Sequence, residues 1–339
     1  MKSQSTMVEQ QLQPNSRQTN PGGKMKAIVY LGDRNLVLQE VPMPEQRPME
    51  AIVKVAAVGI CGSELTAVVE PSEYRKPPLI MGHEFAGTRM DNGERVVVNP
   101  LIACGKCRWC DEELSHLCEK RAIIGINRPG AFAEYVSAPI ASMVRLPNTM
   151  SWSQAALAEP MATAMHVMRA IKPERRSKIG IIGLGGIGML VLLAAKARGF
   201  DAVEVAELLP ARAAMAKECG ASAVGRELSG EFDVIVDAVG TRATRRTSLT
   251  LLRRGGIAVW VGMHDDACQI DGVRDLIRRE LSLAMCFAYT RKDFEAAVDL
   301  LAEVRTEGVV ENVPFKDGTF AFERLLAGGV AAPKIQLVT

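Results

Sequence analysis

The sequence has little net charge and no long apolar segment. Its 339 residues include 41 basic and 39 acidic side chains, which leave a formal net charge of +2. No long basic stripe runs along the chain, so charge gives no support to nucleic-acid binding. No apolar run reaches the ~18 to 20 residues that a membrane-spanning helix needs. We therefore expect a protein with no nucleic-acid partner and no membrane partner.

We also expect no export signal. Residues 1–24 are rich in Gln, Asn, Ser, Pro and Gly and contain no apolar core of the kind found in signal peptides. Such a polar segment buries too little apolar surface to offset its ordering entropy, which predicts a flexible N-terminal tail. We expect a cytoplasmic protein, in which crowded cysteines favour a metal site over disulfides.

Two regions of different pattern follow the tail. From Met25 the chain has strand composition with Gly, Pro and Asn punctuation, and helical patterns are scarce before Ser151. From Lys178 short apolar strands alternate with helical segments, which predicts a parallel, doubly wound sheet. The predicted strands of this second region are residues 179–182, 202–205, 234–237, 257–261 and 281–286. We therefore predict an α/β fold, with a β-rich domain at 25–150 and a nucleotide-binding domain at 151–286.

A glycine-rich turn follows the first strand of the second region. It carries the pattern G-x-G-x-x-G between an apolar strand and a helical run. In a Rossmann unit the first glycine permits a tight turn, the second lets backbone approach a pyrophosphate, and the third allows close packing of helix on strand. The free N–H groups at the helix start then bind the phosphates. The predicted dinucleotide-binding residues of this turn are Gly183, Gly185, Gly186, Ile187 and Gly188.

An acidic side chain about 20 residues further on completes the dinucleotide signature. Glu207 follows the next predicted strand, where a carboxylate accepts hydrogen bonds from the adenosine ribose hydroxyls and repels a 2′-phosphate. This residue favours NAD over NADP. Glu204 is the competing candidate, although in a buried parallel strand it would point into a face of the sheet. Arg212 is a further candidate cofactor-binding residue.

Four cysteines are crowded into one short segment. Cys104, Cys107, Cys110 and Cys118 have the spacing C-x2-C-x2-C-x7-C. Four thiolates at such spacing enclose a tetrahedral Zn²⁺ and leave no open position, so the site would be structural. Reduced cysteines without a ligand are one alternative, and an iron–sulfur cluster is another. We favour zinc, because the chain shows a single such run and already has a predicted hydride cofactor.

A second set of potential metal ligands is scattered along the chain. Cys61 lies in GICGSE, His83 and Glu84 lie in GHE, and Glu159 lies in AEP. An open catalytic Zn²⁺ site needs a set of this kind, with three protein ligands and one position left for water or substrate. Taken singly, each residue also has a structural interpretation, such as a core cysteine or a first-turn helix acid.

These motifs, in this order, resemble the zinc-containing medium-chain dehydrogenases from about Met25 to the C-terminus. The resemblance includes GICGSE, GHE with its following glycine, the four-cysteine lobe, GAFAEYV from Gly130 and the turn GLGGIG. It implies a GroES-like catalytic domain at 25–150 that residues 287–339 complete, with the Rossmann domain at 151–286 inserted between. Within the family, GHE and AEP resemble the sorbitol and butanediol dehydrogenase branch.

In that branch Cys61, His83 and Glu159 would surround the metal, and Glu84 would be either a ligand or a partner of one. Ser63 matches the Ser or Thr that relays the substrate proton. The implied function is zinc-dependent hydride transfer between a secondary alcohol, diol or polyol and NAD, through a zinc-bound alkoxide. One catalytic and one structural zinc are implied for each chain. The alternatives are a zinc-free reductase of the same family and a non-catalytic binding protein on this scaffold.

Three departures from the family pattern are visible. Many relatives carry His where this chain has Thr66, so the proton exit would use water or the ribose hydroxyls. The segment between Cys219 and Asp233 is short, which predicts a reduced or missing Rossmann helix. The stretch between Ser63 and His83 is also short, which would reshape the substrate pocket.

The resemblance further implies a homodimer or a homotetramer. In relatives the edge region of the Rossmann sheet pairs with a second subunit. We place Trp260, in the last-but-one predicted strand, at this edge. An uncovered aromatic side chain there would promote aggregation, so a partner subunit is expected to cover it.

Overall fold

The structure is a computed structural model that describes residues 23–70, 72–171 and 177–339. Residues 1–22 of the predicted tail at 1–24 lie outside the described residues, and Lys24 already begins the first strand. The chain divides into two compact units. Unit 1 runs to Glu159 and also contains 310–330 and 334–339, and unit 2 contains 160–309 and 331–333. No helix in the described ranges combines the length and the apolarity that crossing a membrane requires.

Strands and helices alternate differently in the two units. In chain order the strands are β1 (Lys24–Gly32), β2 (Asn35–Pro42), β3 (Glu50–Gly59), β4 (Leu79–Ile80), β5 (Glu84–Arg89), β6 (Arg95–Val98), β7 (Leu101–Ile102), β8 (Ala122–Ile123), β9 (Tyr135–Pro139), β10 (Met143–Arg145), β11 (Ile179–Ile182), β12 (Val203–Ala206), β13 (Ala223–Gly225), β14 (Phe232–Asp237), β15 (Leu252–Trp260), β16 (Ser282–Met285), β17 (Val310–Pro314) and β18 (Lys334–Val338). The helices are α1 (Gly62–Val69), α2 (Arg108–Asp111), α3 (Trp152–Ala156), α4 (Ala158–Ile171), α5 (Gly186–Ala197), α6 (Pro210–Glu218), α7 (Arg242–Thr250), α8 (Val273–Arg278), α9 (Arg291–Glu303) and α10 (Gly318–Ala327).

Unit 1 is the predicted β-rich, GroES-like domain. Its main sheet has the order β10-β6-β5-β3-β18-β17, with β9 also paired to β3, and a smaller sheet has the order β2-β1-β4. The C-terminal strand β18 pairs antiparallel with β3 and parallel with β17. Large buried side chains fill the core, and the rings of Phe132 and Phe322 meet edge to face at 5.4 Å. The end of the chain is therefore part of this sheet.

Unit 2 is the predicted doubly wound domain. Its parallel sheet has the order β13-β12-β11-β14-β15-β16. Counted from β11, this is the Rossmann order 3-2-1-4-5-6, in which the strand order reverses between β11 and β14. All four residues of β11 are buried, as expected for a parallel strand that is covered on both faces. Ligands of such sheets bind outside the carboxyl ends of the strands at this reversal.

The prediction that a Rossmann helix is reduced or missing is confirmed. Residues 226–231 connect β13 to β14 without a helix. Leu228 of this connection is buried, and its Cδ1 lies 2.6 Å from where a Cβ at Gly180 would be. The glycine in β11 therefore leaves room for an extended connection to pack directly on the sheet, in place of a helix.

The division of the chain differs from the predicted boundaries at both ends of the inserted domain. Residues 287–309, which were expected to complete unit 1, lie in unit 2, and residues 151–159 lie in unit 1. Helix α9 begins with a capping box between Thr290 and Asp293. The carboxylate of Asp293 also bonds to His166 Nδ1 of α4 at 2.8 Å. This buried polar link ties the start of α9 to unit 2.

Trp260 is not at the edge of the Rossmann sheet, so that placement was wrong. It ends β15, which lies between β14 and the edge strand β16. Its side chain is 7% exposed, and its indole N–H donates to Ser248 Oγ at 2.9 Å. Trp260 is thus a core residue whose polar atom is satisfied within the unit. The edge belongs to β16, where Leu283 is 38% and Met285 is 73% exposed.

Candidate functional site

The four clustered cysteines lie in unit 1 between β7 and β8. Their ligand atoms all lie within 4.8 Å of one another. The sulfur of Cys110 is 4.0 Å from that of Cys104 and 3.6 Å from that of Cys107. A tetrahedral zinc with Zn–S bonds of about 2.3 Å places its sulfurs about 3.8 Å apart. The four cysteines therefore have the spacing that one zinc ion requires.

The thiols of this lobe differ in acidity. Hydrogen bonds from the Lys106 backbone and the Cys118 thiol lower the pKa of Cys104 to about 7. The Cys110 backbone N–H lowers the pKa of Cys107, but desolvation and the neighbouring thiols outweigh it and raise that pKa to about 11. Binding of zinc by all four sulfurs would therefore release the protons that remain on the thiols, such as that of Cys107.

A second group of ligand atoms forms at one end of the main sheet of unit 1. Atoms of Cys61, His83 and Glu84 lie within 4.8 Å of one another. Cys61 is the N-cap of α1, just after β3, while Glu84 begins β5. The antiparallel register places Glu84 opposite Gly59. The pairing of β3 with β5 therefore brings the GICGSE and GHE motifs together.

Glu64 organises this group, although the sequence analysis did not single it out. Its carboxylate is fully buried and accepts hydrogen bonds from the backbone N–H groups of Cys61 and Gly82, each at 2.9 Å. Its Oε1 also contacts His83 Nδ1 at 2.9 Å. Because Nδ1 is engaged, Nε2 is the His83 nitrogen left for a metal. The only sequence signal for Glu64 was its position next to Ser63 in GICGSE.

The local charges favour a cation between these side chains. Burial alone would lower the pKa of His83, but the Glu64 carboxylate and the Cys61 sulfur outweigh it and hold that pKa well above its ordinary value. Burial alone would raise the pKa of Glu64, yet the charge and hydrogen bond of His83 lower it. These shifts favour the charged forms of both His83 and Glu64. A metal ion bound to His83 would take the place of its proton.

Glu84 is held by a buried lysine that the sequence analysis also missed. Lys334 Nζ lies 2.5 Å from Glu84 Oε1, and the two residues are 6% and 0% exposed. Glu84 Oε2 is buried and has no hydrogen-bond partner among the described residues. A Cβ at Gly59 would lie 2.1 Å from Oε2, so glycine is needed beside it. A buried, unpaired carboxylate oxygen fits a metal cation.

Two further predicted residues border this group. Ser63 Oγ donates to Cys61 Sγ at 3.3 Å and accepts from Arg75 Nη2 at 2.9 Å. Glu159, the second residue of α4, is half-buried and lies outside the group of three ligands. Burial alone would lower the pKa of Lys334, but the charges of Glu84, of Cys61 and, more weakly, of Glu159 outweigh it and raise that pKa. The structure therefore brings Cys61, His83 and Glu84 together and leaves Glu159 at their border.

The glycine-rich turn has the geometry that a dinucleotide site needs. Gly183 has a φ of +85°, which favours glycine. A Cβ at Gly188 would lie 1.8 Å from the Gly183 carbonyl oxygen. Gly185 is the N-cap of α5, and a Cβ there would meet no described atom within 4 Å. Gly186 and Ile187 form the first turn of α5, so the turn offers open space in front of a helix N-terminus.

Glu207 lies beside this turn. Its two oxygens accept from the backbone N–H groups of Leu184, at 2.7 Å, and Leu209, at 2.8 Å. Glu204 pairs instead with Lys178 at 2.7 Å, away from the carboxyl ends of the strands. Arg212 of α6 donates to the carbonyl oxygens of Ala331 and Ala332, each at 3.3 Å. Of the two acids, Glu207 is the one next to the glycine-rich turn.

Family comparisons match both units of the chain. Residues 47–148 match the alcohol dehydrogenase GroES-like domain, and residues 186–303 match the zinc-binding dehydrogenase domain. The chain is 31% identical over 265 residues to sorbitol dehydrogenase of Bacillus subtilis strain 168, which covers 70% of this chain and 75% of that protein.

Solved structures share the fold over nearly the whole chain. Acetophenone reductase from Geotrichum candidum NBRC 4597, in complex with NAD, is similar with a TM-score of 0.86 and 26% identity, and the match covers 95% of this chain and 99% of that one. A protein of Sinorhizobium meliloti 1021 bound to NADP is similar with a TM-score of 0.86 and 26% identity, and the match covers 94% and 100% of the two chains.

Proposed function

Because this chain belongs to the zinc-containing medium-chain alcohol and polyol dehydrogenases, we propose that it oxidises a secondary alcohol, diol or polyol with NAD at Cys61, His83 and Glu84. It is a zinc-dependent oxidoreductase of alcohols or polyols that uses a nicotinamide cofactor. The observation that carries the proposed site is the group of three ligand atoms within 4.8 Å, with the relay candidate Ser63 touching one of them.

The proposed roles follow from the contacts. When bound, Zn²⁺ supplies a Lewis acid that lowers the pKa of a substrate hydroxyl. Glu64 fixes the orientation of His83, and Lys334 fixes that of Glu84. Ser63 receives the substrate proton. Thr66 is exposed and its hydroxyl donates to the Gly62 carbonyl, so the proton leaves through water or the cofactor ribose.

Replacing Ser63 by alanine tests the proposed function. The wild type is expected to reduce NAD with at least one member of a panel of diols and polyols. Ser63→Ala should reduce turnover by roughly 10²- to 10⁴-fold, because it removes a positioned proton acceptor. Zinc content should be unchanged, since no ligand is lost. Turnover and zinc content are measured on the same samples.

Thr66→Ala is the matched control for this variant. It removes a hydroxyl from the same helix whose hydrogen bond is to its own backbone, so a near-normal rate is expected. Full activity in Ser63→Ala would contradict the relay role. A zinc-loaded wild type that oxidises no alcohol with either nicotinamide cofactor would contradict the proposed function.

The choice of NAD rests on Glu207. Glu207→Ala should weaken NAD binding by about 10- to 100-fold and relax the rejection of NADP, because a charged acceptor and a repelling charge disappear together. Glu204→Ala removes an acid from β12, the strand that Glu207 follows, and should leave the preference unchanged. The ratio of kcat/KM for the two cofactors measures the effect, and an unchanged ratio in Glu207→Ala would contradict the assignment.

We propose that the edge strand β16 pairs with a second copy of the chain in a homodimer or homotetramer. Its exposed Leu283 and Met285 would otherwise leave an apolar strand edge in solvent. Sedimentation at micromolar concentration should show at least a dimer, and Met285→Lys should shift it towards the monomer. A 36.7 kDa monomer for the wild type would contradict this assembly. The cytoplasmic location stays a prediction of the sequence.

A further inference from the structure

A buried arginine lies next to the proposed proton relay. Arg75 belongs to the short stretch between α1 and β4 and is 8% exposed. Its Nη2 donates to Ser63 Oγ at 2.9 Å. Its Nε is buried and has no hydrogen-bond partner among residues 23–70, 72–171 and 177–339. A guanidinium has five N–H donors, and burying one with so few acceptors is costly.

The neighbouring acid does not satisfy this guanidinium. Glu64 lies close enough for the charge of Arg75 to help lower its pKa, after the stronger effects of burial and of His83. Both Glu64 oxygens, however, are already used by Cys61, Gly82 and His83. Among the described residues Glu64 therefore accepts no hydrogen bond from Arg75, and Nε of the guanidinium is left without an acceptor.

We propose that Arg75 determines specificity by binding a carboxylate of the substrate, so that the preferred substrate is a hydroxy acid of the sugar-acid type. This inference rests on the proposed function, since it takes Ser63 as the residue that meets the reacting hydroxyl. Both that hydroxyl and Arg75 then bond to the same Oγ, so they lie at most about 6 Å apart, which is two hydrogen-bond lengths. A carboxylate one or two carbons from the reacting carbon spans this distance.

The chemistry of the side chain supports a carboxylate. The planar guanidinium fork matches a carboxylate in two parallel hydrogen bonds, which a neutral hydroxyl cannot reproduce. Lys76, the neighbour of Arg75, is exposed and carries the same charge, which makes it a suitable control.

The test compares a hexitol, the hexonate that differs from it only by oxidation of C1 to a carboxylate, and the corresponding hexitol 1-phosphate. The wild-type holoenzyme is expected to prefer the hexonate to the hexitol by roughly 10- to 100-fold in kcat/KM. Arg75→Met should abolish this preference mainly through KM, and Arg75→Lys should restore part of it. Lys76→Met should retain the wild-type ratio.

Binding of the hexonate to the NAD-loaded enzyme, measured by calorimetry, gives a readout that does not depend on turnover. Binding that is lost in Arg75→Met but kept in Lys76→Met supports the inference even if no alcohol is oxidised, in which case only the proposed function fails. Oxidation of the hexitol and hexonate with equal kcat/KM overturns the inference and leaves the proposed function standing. A preference for the phosphate ester, or hexonate binding that ignores Arg75, also overturns it.

Discussion

Glu84→Gln is expected to release the zinc proposed at Cys61, His83 and Glu84 and to reduce turnover by more than about 100-fold. Loss of a residue that only orients a ligand costs about 10- to 100-fold, so loss of a direct ligand should cost more. Glu84 is the carboxylate that lies with Cys61 and His83 and whose Oε2 is buried without a partner. Zinc content should fall from two ions per chain to one, as measured by elemental analysis of the purified protein.

The loss of stability from breaking the Glu84–Lys334 ion pair must be distinguished from the loss of zinc. Removing one partner of a buried ion pair costs about 3–5 kcal/mol, because the other charge stays buried and unpaired. Lys334→Met should therefore destabilise the protein by that amount, and Glu84→Gln carries a similar cost. The double variant Glu84→Gln/Lys334→Met removes both charges, so it should regain most of the stability but not the zinc. Denaturant unfolding and zinc analysis on all three variants separate folding from ligation.

Glu159→Gln is the comparison for the choice between the two carboxylates. Glu159 lies outside the group of three ligand atoms, so this variant should keep both zinc ions after purification and lose about 10- to 100-fold in turnover. If Glu159→Gln loses the metal and Glu84→Gln keeps it, the assignment is reversed and Glu159 is the direct ligand.

Cys107→Ser should remove the structural zinc and unfold the lobe between β7 and β8. Metal binding in such sites is part of the folding free energy, and apparent values for zinc-finger peptides are about 10–16 kcal/mol. In the described part of the chain this lobe has a two-stranded sheet and two short helical turns, with little buried apolar surface of its own. Proteolysis within residues 104–118 should become rapid, while the second zinc stays bound.

Cys219→Ser is the control for this variant. Cys219 is also a half-buried free cysteine, but it lies in unit 2 away from both groups of ligands. It should keep two zinc ions and a protease-resistant lobe. A wild type that holds no zinc at the four cysteines, or a Cys107→Ser variant with unchanged zinc and unchanged proteolysis, would contradict the structural site.

Local signals were enough for much of the fold. The strand of residues 179–182 was predicted with its observed bounds. The short segment after Cys219 correctly predicted a missing helix. These features depend on neighbours within a few residues, whose spacing is set by covalent geometry. Where the chain returns to unit 1 depends instead on long-range contacts, such as that of Asp293 with His166 in another helix.

The sequence by itself determined the chemistry that this protein carries: the cysteine spacing, the glycine-rich turn and the motifs that hold Cys61, His83 and Glu84. Tertiary structure alone decided how these groups are held. The partner of Glu84 is Lys334, 250 residues further along the chain, and Arg75 reaches Ser63 through a stretch with no regular pattern. The Glu84–Lys334 pair is brought together by the pairing of β3 with β5 and β18. Strand register brings distant residues to one sheet end, and no local pattern in the sequence records which residues will meet there.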